Sequence, residues 1–129
     1  MKIDHICHPT IGNIIRLYNG SNSDFIGLKE FCVAAGGEVN WIDIAQFINT
    51  SGLPTFGKST HEARSIDIRD SVFIELRPDD WMLFSELLDP FCDGLNSEIY
   101  QWIAGPMSDY INSQVGVNLL VSRSESGTW

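Results

Sequence analysis

A mixed domain of the α/β or α+β class, with several helices covering a small mixed sheet in one layer-packed unit over 1–129, is the fold that this sequence predicts. Three observations lead there. Hydrophobic residues fill 43% of the 129 positions and charged residues 19%, which is enough apolar material for one core and unlike a disordered composition. Strand-like runs alternate with runs whose apolar residues recur at helical spacing. The Gly, Ser and Asn clusters between them are short enough to be loops, and no internal repeat or low-complexity linker divides the chain.

After a histidine-rich beginning, TIGNIIRLY (10–18) is a β-branched run that reads as the first strand, closed by NGSNS. SDFIGLKEFCVAAGG reads as a helix, with Ser23 as N-cap, Phe25, Leu28, Phe31 and Cys32 as its apolar stripe, and Gly36 or Gly37 ending it. NWIDIAQFINTSG predicts a second helix, capped by Asn40 and carrying Trp41, Ile44, Ala45 and Ile48 on one face. LPTFGKSTHE then reads as a loop. SIDIRDSVFIEL (65–76) alternates at Ile66 and Ile68 and again at Val72, Ile74 and Leu76, which favours two strands about Asp70 and Ser71, or one strand with a bulge.

Pro78 disfavours helical geometry at Arg77, and Asp79 or Asp80 is placed to cap a helix that turns Trp81, Phe84, Leu87 and Leu88 inward. Pro90 ends that helix, or opens a short turn capped by Asp89. A further helical pattern begins at Asn96 or Ser97 with Ile99, Trp102 and Ile103, breaks at Gly105-Pro106, and resumes with Met107, Tyr110 and Ile111. VGVNLLVSR (115–123) reads as a buried terminal strand, and SESGTW as a polar tail.

The charge is unevenly distributed. Seventeen acidic and eight basic residues give a net charge of −9, and residues 62–109 alone hold eleven acids against three bases. Such a field disfavours nucleic acid and anionic lipid and attracts cationic surfaces. The opening MKIDHICHPTIG lacks the apolar run of a secretory leader, and no stretch nears the roughly eighteen uncharged apolar residues of a membrane span, so neither is expected. Cys7, Cys32 and Cys92 are odd in number and far apart, which fits a reducing cytoplasm better than a disulfide framework.

Three sets of residues invite a chemical reading. His5, Cys7 and His8 are ligand types, but the thiolate pairs of a structural zinc site are lacking, so no metal is assigned. Ser59, His61 and Glu62 are too close in sequence to line up as a triad, and no nucleophile elbow is present, so no catalytic set is assigned. Gly52-Leu53-Pro54-Thr55-Phe56-Gly57-Lys58-Ser59 matches the phosphate-loop pattern letter for letter. A working phosphate loop follows a buried strand and opens a helix, whereas this string follows a helical pattern; no cofactor is assigned to it.

What remains is DDWMLFSELLDPFCD (79–93), where Asp79, Asp80, Glu86, Asp89 and Asp93 occur with no lysine or arginine between them, extended by Glu75 and Glu98. Like charges held together cost stability, so the cluster points to a basic protein partner. In size, acidity, cysteine usage and lack of a coherent catalytic set, the chain resembles the small acidic immunity proteins with which bacteria neutralise nuclease toxins, including those of contact-dependent growth inhibition systems. That resemblance is of class and brings no residue correspondence. It implies a cognate toxin whose cationic nucleic-acid-binding surface is covered; the charge cluster itself, not the resemblance, suggests Asp79, Asp80, Glu86, Asp89 and Asp93, extended by Glu75 and Glu98, as residues at or near the contact. The alternatives are a small magnesium-dependent nucleotide-binding enzyme using Gly52 to Ser59, and an adaptor whose acidity only keeps it soluble. The immunity reading requires the acids between Glu62 and Asp109 to gather on one accessible surface.

Overall fold

A computed structural model describes residues 1–93, 99–112 and 115–124. The mixed α+β class holds, with strands outweighing helices and two sheets in place of one. β1 (Lys2–His8) and β2 (Gly12–Tyr18) form an antiparallel hairpin about the 9–11 turn. The histidine-rich beginning is therefore a strand of its own. β9 (Asn118–Ser122) runs parallel to β2, β8 (Tyr100–Ala104) pairs with β9, and the two-residue β4 (Ser51–Gly52) adds to β1, giving the order β4-β1-β2-β9-β8. β9 is buried at every position, as its nearly unbroken apolar run predicts, with the polar Asn118 and Ser122 buried at its two ends.

The second sheet runs β3-β5-β7-β6, from β3 (Ile42–Asp43), β5 (Thr55–Ser59), β6 (Ser65–Ile68) and β7 (Val72–Leu76). β6 and β7 are the antiparallel pair expected about Asp70-Ser71. Helices α1 (Asn22–Gly36), α2 (Pro78–Leu87) and the single turn α3 (Asp89–Cys92) complete the fold. One core draws on both sheets and on the helices, including Ile15, Leu17, Leu119 and Val121 from the first sheet, Val72, Ile74 and Leu76 from the second, and Phe25, Phe31, Trp81, Phe84 and Phe91 from the helices.

Three expectations are corrected. The helix expected over NWIDIAQFINTSG is instead strand β3, one 3₁₀ turn (Ile44–Gln46) and strand β4. Asp43, not Asn40, caps the turn by accepting from the Ala45 amide at 2.9 Å, and Trp41 leaves the core side to pack on Phe73. The loop expected over LPTFGKSTHE contains β5, an interior strand paired antiparallel to β3 and parallel to β7. The helix expected from Asn96 or Ser97 is β8 over Tyr100–Ala104, and its expected resumption at Met107, Tyr110 and Ile111 is a turn ending in an isolated bridge between Ile111 and Ala104. A bulge between Trp102 and Ala104 turns both Ile103 and Ala104 into the interior, and this breaks the two-residue alternation that marks a strand. The proposed start of that helix at 96–97 and the tail with Trp129 lie outside the described residues.

Two caps also shift. Ser21, rather than Ser23, caps α1 and forms a reciprocal capping box with Asp24. Arg77 stands at the N-cap of α2, where the Asp80 carboxylate accepts from its backbone amide at 3.0 Å. Burial on α2 follows the expected face, with Trp81, Phe84 and Leu88 inside and Leu87 partly so.

Gly57 sets the distance between the helices and the second sheet. A Cβ there would stand 2.7 Å from the Phe31 ring and 2.9 Å from the Trp81 indole, so only glycine lets both rings lie on the strand. Gly57→Ala is expected to destabilise the fold by about 1–3 kcal/mol through overpacking. Urea denaturation checks this, and a midpoint equal to wild type would mean that the rings have room to withdraw.

Candidate functional site

The phosphate-loop string does not form a phosphate loop. Its last five residues are β5, whose backbone groups pair with strands on both sides, and no helix follows. Gly52 takes a positive φ of 101° at the short β4, next to β1. The Lys58 ammonium bonds Glu75 at 2.9 Å and lies 4.9 Å from the Trp41 ring centre. The Ser59 hydroxyl donates to the last carbonyl of α1, at Gly36, over 2.9 Å. The nucleotide-enzyme alternative therefore loses its structural basis.

The histidines have local structural work. His8 Nδ1 accepts from the amides of Thr10 and Ile11, each at 3.1 Å, and so builds the β1–β2 turn. His5 Nε2 lies 2.9 Å from the Asn13 side-chain oxygen across the hairpin. Among the described residues no group of three or more His, Cys, Asp or Glu side chains is arranged to hold a metal ion. All three thiols are free. Burial pushes the Cys32 thiol well above its ordinary pKa and, more mildly, raises that of Cys92.

The acids divide between opposite faces of the molecule. Because the Gly57 side of the second sheet receives the helices, Phe56, Lys58, Phe73, Glu75 and Asp67 point the other way. That outer face carries a stack of Phe56 on Phe73 with Trp41 edge-on beside it, and Glu75 and Asp67 belong there. The expected gathering of all acids between Glu62 and Asp109 on one surface is thus corrected: the pleat of β6 and β7 sends Asp67 and Glu75 away from the helices.

On the helix side the seven proposed residues separate further. Asp80 is 6% exposed, and Arg64 holds it with two bonds, 2.6 Å from Nε and 3.0 Å from the terminal nitrogen. It secures the start of α2 and is unavailable to a partner. Asp89 is exposed but bonded to Lys29, whose pKa is raised, chiefly by that hydrogen bond, with Glu86 contributing least. Asp93 is exposed at the end of α3, and Glu98 lies outside the described residues. Asp79 and Glu86 are exposed, and neither has a salt bridge or hydrogen bond among the described residues.

Asp79, Met82 and Glu86 follow one another at helical spacing, so acid, apolar and acid groups share the outward face of α2. Met82 is 62% exposed. Antiparallel to α2 lies α1: its Gly36 meets Pro78 and Trp81 at one end, while Lys29 meets Asp89 at the other. Its own outward face carries Ile26, Glu30 and Val33, with Val33 66% exposed. Between the helices runs a groove of about 320 Å³ lined by Val33, Gly36, Gly37, Asp79, Met82 and Ser85, among others. Sequence reading found the two acids but missed the α1 half of this face, although Ile26 and Val33 already stood off the apolar stripe at 25, 28, 31 and 32.

Comparison of the chain with protein-family models, curated proteins and solved structures yields no match. Among the described residues no helix is long and apolar enough to cross a membrane.

Two outcomes test this account. Arg64→Leu, which leaves Asp80 buried without its cation, is expected to cost about 3 kcal/mol, whereas Lys29→Ala, at an exposed pair, is expected to cost less than about 1 kcal/mol. Equal urea midpoints for the two variants would show that Asp80 is better solvated than its burial implies. In thiol labelling of the native protein near neutral pH, Cys7 is expected to react first, Cys92 more slowly, and Cys32 only on unfolding. Rapid native labelling of Cys32 would contradict its burial.

Proposed function

We propose that the chain is an acidic binding protein that neutralises a cationic protein toxin, a nuclease, by covering the surface with which that enzyme holds nucleic-acid phosphates. The observation that carries this reading is the outward face of α2, where Asp79 and Glu86, free of salt bridges and hydrogen bonds among the described residues, flank the exposed Met82. Carboxylates held in no salt bridge steer an incoming basic surface, and the apolar group between them supplies contact area once it is desolvated. The net charge of −9 extends that attraction beyond contact, over roughly the 8–10 Å screening length at ordinary ionic strength. Three free thiols suit action in a reducing cytoplasm.

The single acidic surface from Glu62 to Asp109 that this reading first required is not formed, so the proposed contact is narrowed to the short row on α2: Glu75 and Asp80 leave it, because Lys58 and Arg64 already satisfy them. Asp89 and Asp93 remain at its margin. An acidity that served solubility alone would leave association indifferent to which acids are reversed, which separates the adaptor alternative from this one.

The test is to read the adjacent gene for a protein with a basic C-terminal domain, co-express that domain with this chain, and run co-purification and a nuclease assay on the complex. Inhibition is expected. The double reversal Asp79→Lys, Glu86→Lys is expected to slow association about tenfold at low salt and to flatten its salt dependence. Inhibition with unchanged rates would relocate the contact, and a basic domain that neither binds nor is inhibited would remove the reading.

A further inference from the structure

If α2 faces a cationic partner, its spacing restricts what that partner presents. Asp79 and Glu86 are seven residues apart on one helix, which sets them about 10.5 Å apart along its axis, with Met82 between. An extended strand repeats its face about every 6.7 Å, so two basic side chains on one strand face stand near 6.7 or 13.4 Å apart and miss this interval. A helix with basic residues at i and i+7 reproduces it, and an apolar residue between them meets Met82.

The groove offers the matching seat. Its walls are the outward edges of two antiparallel helices, and two successive glycines, Gly36 and Gly37, lower the α1 side. At Gly37 the backbone makes no demand for glycine: φ is −107°, and an added Cβ would meet nothing nearer than the Ala34 carbonyl oxygen at 3.8 Å. The absence of a side chain there leaves the groove open without being required by the fold. Val33 and Met82 supply apolar walls, Asp79 stands at the α2 rim, and the exposed Glu86 follows Met82 one turn further along the helix, just beyond the groove lining.

We propose that the α1–α2 groove seats a single helix of the cationic partner, with a large apolar side chain against Val33 and Met82 and a basic side chain at each end meeting Asp79 and Glu86. This rests on the cationic-partner reading and specifies its docking mode: a third helix laid between two, with charge complementarity fixing its register.

The probe is a synthetic helical peptide carrying arginine, leucine and arginine at i, i+3 and i+7, compared with a scrambled peptide of the same composition. Binding to the full chain is followed by fluorescence anisotropy and by backbone amide NMR. The patterned peptide is expected to bind at least tenfold more tightly than the scrambled one and to shift the amides of Val33, Gly36, Gly37 and Met82. Gly37→Leu, which fills the groove, is expected to erase that preference, and Met82→Ser to weaken it should the leucine variant fold poorly. Equal, salt-dependent binding of both peptides would overturn the groove while leaving the cationic-partner reading intact. No binding of either peptide at low salt and millimolar concentration would overturn both. A preference that survives both substitutions would place the helix elsewhere and also overturn the proposal.

Discussion

The seating of Trp81 on Gly57 is the constraint from which the arrangement of this fold follows. Trp81 is fully buried, its indole N–H donates to the Lys58 carbonyl over 3.0 Å, and its ring packs edge-on against Phe31 and face to face with Phe84. A buried indole whose only polar atom is satisfied by a strand carbonyl has little freedom to rotate or withdraw. Once position 81 is anchored, helical periodicity sends 84, 85 and 88 inward as well, and 79, 82 and 86 outward. Ser59 ties the end of β5 to the end of α1, so both helices are referred to the same strand. The outward stripe of α2 is therefore a consequence of how the core is packed.

Charge and geometry contribute at different ranges. The summed acidity of the chain acts at a distance and does not depend on which face bears each carboxylate. Contact does depend on it. Opposed pleats remove Glu75 to the other face, where Lys58 pairs it, and the Arg64 and Lys29 pairs reduce the available acids on the helix side to a short row beside exposed Met82, with Val33 across the groove. Buried or paired carboxylates stabilise and orient the fold, as Asp80 does at the start of α2. Exposed ones without a salt bridge stay hydrated and add to the field that an approaching basic surface meets.

The parts of the fold legible in the sequence are those whose signals are local. The stripe of α1, the alternation of β6 and β7 about Asp70-Ser71, the helix after Arg77-Pro78 and the buried terminal strand each declare themselves within about ten residues. The segment from Asn40 to Ser59 does not, because β3, β4 and β5 are held by partners distant in sequence. β5 pairs in parallel with β7, and β4 with β1. Its apolar residues are spaced like a helix, and its glycine looks like a loop until Phe31 and Trp81 are seen to occupy the place of the missing side chain. β8 was obscured for a different reason: its bulge buries Ile103 and Ala104 in succession and imitates a helical face.

The sequence by itself determined the mixed class, the size of the core, the acidity and its concentration between 62 and 109, because these depend on composition and on neighbours along the chain. The tertiary structure alone decided which carboxylates meet a cation, which face of each sheet is turned outward, and that Val33 and Met82 share one groove. Ion pairs such as Arg64 with Asp80, and a surface shared by two helices, join residues sixteen to fifty positions apart. Such separations are closed by packing, and neither spacing nor propensity encodes them.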